Sequence, residues 1–345
     1  MSKEFTALVI SDLHLRPAHA DIAEVVLKKA EEELEKHDPE YLIIGGDTFH
    51  TKNIVYASML TLFGDFLKRV TQKRKVIVLV GNHDWAILYS VHSLQTFKMP
   101  NLKIVETTYK INEKVGFIGY CREKERFEEL MDNLKSCEII FGHLDLNGFE
   151  LGSGWEESDS FCGAERFTSF KKVFSGHFHK SQERTFSSGT EIVYVGTGYT
   201  TDFNESDQEK RFLLVDLNTG EWTGIPTNLT LHKTIKITVK DELPELPEEE
   251  LKRGVNYRII VSGTKEEIAS FKTKVGYQAK IMYDIKNSEV SRLDINASDN
   301  QEVMINKYVD FEIKRLYGDE KRSNIDHEKL MKLGKSLLAR ANGGK

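Results

Sequence analysis

Residues 76–84 read VIVLVGNHD: five aliphatic residues, one glycine, then a carboxamide, an imidazole and a carboxylate. So short and continuous an apolar run fits a strand buried on both faces. The glycine permits a tight turn at the strand end, where a Cβ would block close approach. The same grammar recurs four times. Leu8-Val9-Ile10 leads to Asp12 and His14, and Tyr41–Ile44 leads through Gly45-Gly46 to Asp47. Ile139–Phe141 leads through Gly142 to His143, and Val173–Ser175 leads through Gly176 to His177 and His179.

Further strands are expected at 103–106, 115–120, 192–195 and 212–217, with helices at 21–36 and 54–69. Strands alternating with helices predict an α/β domain. The second helix, with Met59, Leu62, Phe63, Phe66 and Leu67, is apolar enough to be either a core element or a subunit interface. Domain boundaries are expected at 1–230, 231–295 and 296–345. The stretch DELPELPEEE at 241–250 reads as a solvated connector within a small α+β unit, with strands at 257–262 and 278–284 and a helix at 265–274. Amphipathic helices are expected at 300–317 and 326–341.

The bulk numbers narrow the class. The chain has 345 residues, 39% apolar and 30% charged, and no apolar run long enough to span a bilayer. Its three cysteines, Cys121, Cys137 and Cys162, show no CxxC spacing, and its start lacks a secretory signal, so the expected compartment is the cytoplasm. The formal charge of −6 argues against holding a polyanion by the overall field. A local basic surface, metals or a partner must supply that attraction. Lys52, Lys68, Arg69, Lys73, Arg74 and Lys75 are candidates, although solvated surface is their default reading.

Loops at the carboxyl ends of strands converge in an α/β sheet, so the five polar groups are candidates for one site. Six of the eleven histidines lie in or beside these motifs. Imidazole, carboxylate and carboxamide without sulfur favour octahedral Mn²⁺ or Fe over Mg²⁺ or Zn²⁺. The ordered series Asp-x-His, Gly-Asp, Gly-Asn-His-Asp, Gly-His, Gly-His-x-His resembles the calcineurin-like metallophosphoesterases. That resemblance implies a β-sandwich flanked by helices and a two-metal centre. It assigns Asp12, His14, Asp47 and His179 to one ion, and Asp47, Asn82, His143 and His177 to the other. His83 then looks like the acid that protonates the leaving oxygen. Asp84 is either the orienter of that imidazole or an ordinary helix cap.

Phosphoprotein phosphatases of this family carry an Arg shortly after Gly-Asp that grips the phosphomonoester; residues 46–52, GDTFHTK, have none. Gly-Asp-x-Phe-His resembles instead the SbcD-type nucleases of double-strand-break repair. His50 inherits from them an assisting catalytic role, or is a buried histidine bonded to a carbonyl. The stretches 141–149, 173–179 and 194–200 resemble most the recombination nucleases of T-even-type bacteriophages. Gly198 departs from the family's usual Pro. The resemblance further implies a DNA substrate, exonuclease and endonuclease activity, and two divalent ions, Mn²⁺ preferred and Mg²⁺ possible. It makes residues 231–295 a capping domain and 296–345 a helical segment binding an SbcC-type coiled-coil ATPase, in a heterotetramer built on a homodimer without membrane contact. A phage-encoded chain would work in the host cytoplasm. Rival readings are a stand-alone phosphatase or phosphodiesterase and a metal-free scaffold.

Overall fold

In the computed structural model, which describes residues 5–150, 157, 160, 162–271, 278–285 and 307, all five apolar runs are strands with buried side chains. The chain forms β1 (Thr6–Ile10), α1 (Ala20–His37), β2 (Tyr41–Ile44), α2 (Ala57–Thr71) and β3 (Lys75–Leu79). A small hairpin, β4 (Trp85–Ile87) and β5 (Val91–His92), precedes β6 (Leu102–Val105), β7 (Thr108–Lys110) and β8 (Val115–Ile118). Then come α3 (Lys124–Asp132), β9 (Ile139–His143), β10 (Lys172–Gly176), β11 (Gln182–Thr185), β12 (Glu191–Tyr194), β13 (Arg211–Asp216) and β14 (Trp222–Pro226).

Two six-stranded sheets result, ordered β14-β13-β1-β2-β3-β6 and β11-β12-β10-β9-β8-β7. In the first, β1, β2, β3 and β6 are parallel; in the second, β8, β9, β10 and β12 are. Alternate side chains serve different layers, as a period of two requires. Leu8 and Ile10 pack with Val26, Phe63 and Phe66 of the helices, whereas Ala7 and Val9 join Phe117, Phe141 and Phe174 between the sheets. Ile140, Val173 and Ile192 face Phe127 of α3. The layers therefore run helices, sheet, sheet, helix, which is the α/β sandwich expected.

Two sequence expectations need correction. The second helix begins at Ala57 rather than Ile54, because Ile54 and Tyr56 are 60% and 49% exposed and have no core to face. Its apolar residues Met59, Phe63, Phe66 and Leu67 are buried in this chain's own core, and its outer face carries Lys68 and Arg69. The connector 241–250 is not wholly irregular: α4 (Glu248–Lys252) follows Pro247 at its N-cap, with three glutamates in the first turn complementing the helix dipole.

The chain divides into two compact units, the larger containing both sheets. After β14 in the chain come β15 (His232–Thr238), β16 (Asn256–Gly263), α5 (Lys265–Ser270) and β17 (Lys280–Ile285), with strand order β15-β16-β17. A capping box between Thr264 and Glu267 sets the start of α5. Of the helices expected at 300–317 and 326–341, only Lys307 lies within the described residues, and it is helical; the rest lies outside them.

Candidate metal centre

Parallel strands end at one edge, so β1, β2, β3, β9 and β10 deliver their polar successors to one place. Two clusters form there: Asp12, His14 and His179, and Asp47, His143 and His177. Each draws ligands from both sheets. Asp47 lies between them, with Oδ2 3.7 Å from His14 Nε2 and Oδ1 3.4 Å from His143 Nε2. Asn82 Oδ1 is 2.9 Å from both His143 Nε2 and His177 Nδ1. All seven ligand candidates read from the sequence are thus brought together.

The arrangement suits cations. His179 Nδ1 faces Glu205 Oε1 at 2.9 Å, and His143 Nδ1 faces the Gly45 carbonyl at 2.7 Å. Those bonds hold each Nδ1 outward and turn each Nε2 inward, the orientation a metal ligand needs. Inward, His14 Nε2 and His179 Nε2 approach to 2.9 Å, while His14 Nδ1 is buried without a hydrogen-bond partner. Ring nitrogens and a carboxylate converging this closely offer lone pairs to a positive ion. Burial works against the Asp47 charge, but His143, His14 and His83 hold its carboxyl far below the usual range. Burial and the charge of His143 push His177 down to about 3, leaving it a neutral ligand.

The backbone is bent to the purpose. Asp12, His14, Asp47 and His177 all have positive φ, at 52°, 43°, 51° and 93°. Side-chain-bearing residues avoid this region, and such strain concentrates at functional sites. The glycines are equally constrained: a Cβ on Gly81 would lie 2.2 Å from Asp47 Oδ1, and one on Gly46 2.3 Å from His143 Nδ1.

A family model for the calcineurin-like phosphoesterases matches residues 5–181, the stretch that carries all five motifs. The chain belongs to that family. Among similar proteins is exonuclease subunit 1 of Enterobacteria phage T4, 23% identical over 292 residues, covering 81% of each chain. A putative phosphoesterase, 244L of Invertebrate iridescent virus 6, is 27% identical over 77% of this chain and 96% of its own. The DNA double-strand break repair protein Mre11 of Nanoarchaeum equitans is 26% identical over 60% of this chain and 65% of its own. The fold of this phosphoesterase family uses a dimetal centre, and the relatives of the chain include an exonuclease subunit and a double-strand break repair protein.

Around the phosphoesterase site, the backbone N–H of His83 donates to Asp47 Oδ1 at 2.8 Å. Its ring Nδ1 donates to the His50 carbonyl at 2.7 Å, which leaves Nε2 as the nitrogen free to meet substrate. The His50 ring stacks on His83 at 6.0 Å and takes an Arg16 N–H at 3.2 Å. Asp84 has neither role expected for it. Its carboxylate accepts the backbone N–H groups of Gly81, Thr48 and Phe49 at 2.9, 3.1 and 3.2 Å, pinning the second motif to the third. The strand β4 follows it, not a helix.

Sequence reasoning missed three residues. Glu205 supports His179 and pairs with buried Lys210 at 2.9 Å. Arg16 joins the loops after β1 and β2. A basic residue two positions past His14 was a signal available for Arg16, whereas the approach of 205 and 210 depends on how a long loop returns to the site. Among the basic candidates, Lys68, Arg69, Lys73, Arg74 and Lys75 are all paired with carboxylates on the same surface. They are poor phosphate ligands for that reason.

Proposed function

We propose that this chain is the nuclease subunit of an SbcC/SbcD-type recombination and repair complex, hydrolysing DNA phosphodiester bonds as exonuclease and endonuclease. The observation that carries the reading is the pair of ligand clusters sharing Asp47, with His83 beside them. It stands in a chain whose likeness to a phage exonuclease subunit extends over 292 residues. Asp12, His14 and His179 hold one ion, and Asn82, His143 and His177 the other, with Asp47 turned to both and Mn²⁺ preferred. Two divalent ions, when bound, stabilise charge on the phosphoryl group and acidify water. His83 Nε2 delivers the proton to the leaving oxygen, its ring fixed by the His50 carbonyl. Residues 231–295 cap the site and 296–345 bind the coiled-coil ATPase, within a cytoplasmic heterotetramer containing two copies of this chain. Among the described residues no helix is long and apolar enough to cross a membrane.

The test is cleavage of end-labelled duplex and single-stranded DNA with Mn²⁺, with and without the ATPase and ATP. His83→Ala should lower cleavage by about 100-fold or more while Mn²⁺ stays bound. Hydrolysis of nitrophenyl phosphates without any DNA cleavage would replace the nuclease reading with a phosphatase one. Deleting 296–345 should end co-purification with the ATPase and spare weak Mn²⁺-dependent cleavage. Persistent co-purification would show the partner surface to be elsewhere.

A further inference from the structure

Arg16 lies in the loop after β1. It is half-buried, and its guanidinium is spread over three loops beside the Asp12–His14–His179 cluster. Nε and Nη2 donate to His19 Nδ1 at 3.1 and 3.0 Å, Nη1 to His50 Nε2 at 3.2 Å, and Nη2 to the Thr201 carbonyl at 3.3 Å. Every one of these acceptors is neutral. No ion pair joins Arg16 to a carboxylate among the described residues, in contrast to the paired cations at 68–75. A guanidinium has five N–H donors, so one on Nη1 remains unspent.

A partly desolvated charge without a counter-ion calls for an anion. Both imidazoles accept from the guanidinium, which a ring nitrogen does only through its lone pair, so neither offers a counter-charge there. The location selects which anion. The His50 ring stands between Arg16 and the catalytic groups, its centroid 5.5 Å from that of His14 and 6.0 Å from that of His83. The guanidinium thus sits one ring beyond the place where the scissile group must bind.

Resting on the nuclease reading above, we infer that Arg16 grips the phosphodiester next to the scissile one on the same strand, through the free face of its guanidinium. It would make the site select a polynucleotide strand over an isolated phosphodiester. The fork geometry of Arg suits a phosphate better than Lys does.

The experiment compares wild type, Arg16→Gln and Arg16→Lys, with Mn²⁺, on a single-stranded oligonucleotide and on bis(p-nitrophenyl) phosphate, which has no neighbouring phosphate. Arg16→Gln should lose about tenfold more kcat/KM on the oligonucleotide than on the small diester, chiefly through KM. Arg16→Lys should recover part of that loss. The slope of log kcat/KM against log salt should become shallower by about 0.7 for the oligonucleotide in Arg16→Gln, one phosphate contact on a single strand. Equal losses on both substrates, accompanied by a lower Tm, would show Arg16 to be only a staple for its loops and overturn the inference. Unchanged oligonucleotide kinetics in Arg16→Gln would overturn it while leaving the nuclease reading intact. A wild-type protein that hydrolyses the small diester but no oligonucleotide would overturn both.

Discussion

At the scale of single residues, Asp84 shows how much depends on a side chain that meets no metal. Three backbone amides point at its fully buried carboxylate, two from the loop after β2 and one from the loop after β3. Those loops carry Asp47 and Asn82. Asp84→Asn keeps the volume but turns an amide N–H₂ toward the Gly81 N–H or toward the other two, leaving at least one buried donor facing a donor. The expected loss is about 2–3 kcal/mol in urea unfolding, with weaker Mn²⁺ binding because both ligand loops loosen. A variant as stable as wild type would mean that the amides find other acceptors and that Asp84 is no clamp. His83 differs in kind. Its ring is oriented by a carbonyl, so changing the neighbouring side chain at 50 should alter chemistry less than changing His83 itself.

At the scale of elements, strand ends do the positioning, and the sequence displays them well. Continuous runs such as Val76–Val80 are legible because strands covered on both faces admit no polar residue. The seven candidate ligands are legible because each follows such a run within four residues. The start of α2 was not, since Ile54 and Tyr56 are as apolar as the residues that follow, and only the absence of a covering layer distinguishes them. The loop bearing Glu205 and Lys210 was hidden for a related reason: its residues reach His179 through tertiary folding, and no local period announces it. Gly198, the departure from the family's Pro, also becomes intelligible. A Cβ there would lie 2.4 Å from Phe212 Cε1, so the buried ring takes the space that a side chain would need. Gly81 offers the sharper test of strand-end geometry. Gly81→Ala forces a methyl against the Asp47 carboxylate and its backbone N, 2.2 and 2.3 Å away. The displaced ligand should lower kcat/KM on bis(p-nitrophenyl) phosphate by about 100-fold. Metal analysis should find less than full Mn²⁺ loading in the same sample. Full loading with normal turnover would mean the two loops can slide apart freely, contrary to the Asp84 clamp.

At the scale of the whole sandwich, the site is also a seam. The first cluster takes Asp12 and His14 from the β1 end of one sheet and His179 from the β10 end of the other. The second takes Asp47 from the first sheet and His143 and His177 from the second. An ion held in either cluster would therefore tie sheet to sheet, at the edge where the interlayer core of Phe117, Phe141 and Phe174 gives way to polar groups. Two buried carboxylates, Asp12 and Asp47, follow neighbouring strands of the first sheet, and burial chiefly, with the Asp47 charge adding to it, raises the Asp12 carboxyl above its ordinary value. Stability should accordingly respond to metal as a linked equilibrium. At a free Mn²⁺ concentration 100 times Kd, each site adds about 2.7 kcal/mol, so two sites add roughly 5. For a domain of this size that is a rise in Tm of about 10–20 °C over chelator-treated protein. His179→Ala removes the one second-sheet ligand of its cluster among the described residues and should forfeit about half of the Mn²⁺-dependent rise, whereas an exposed change such as Lys52→Ala should keep all of it. Calorimetry across a Mn²⁺ titration decides the matter: a His179→Ala protein gaining as much as wild type would show that the ions do not bridge the sheets.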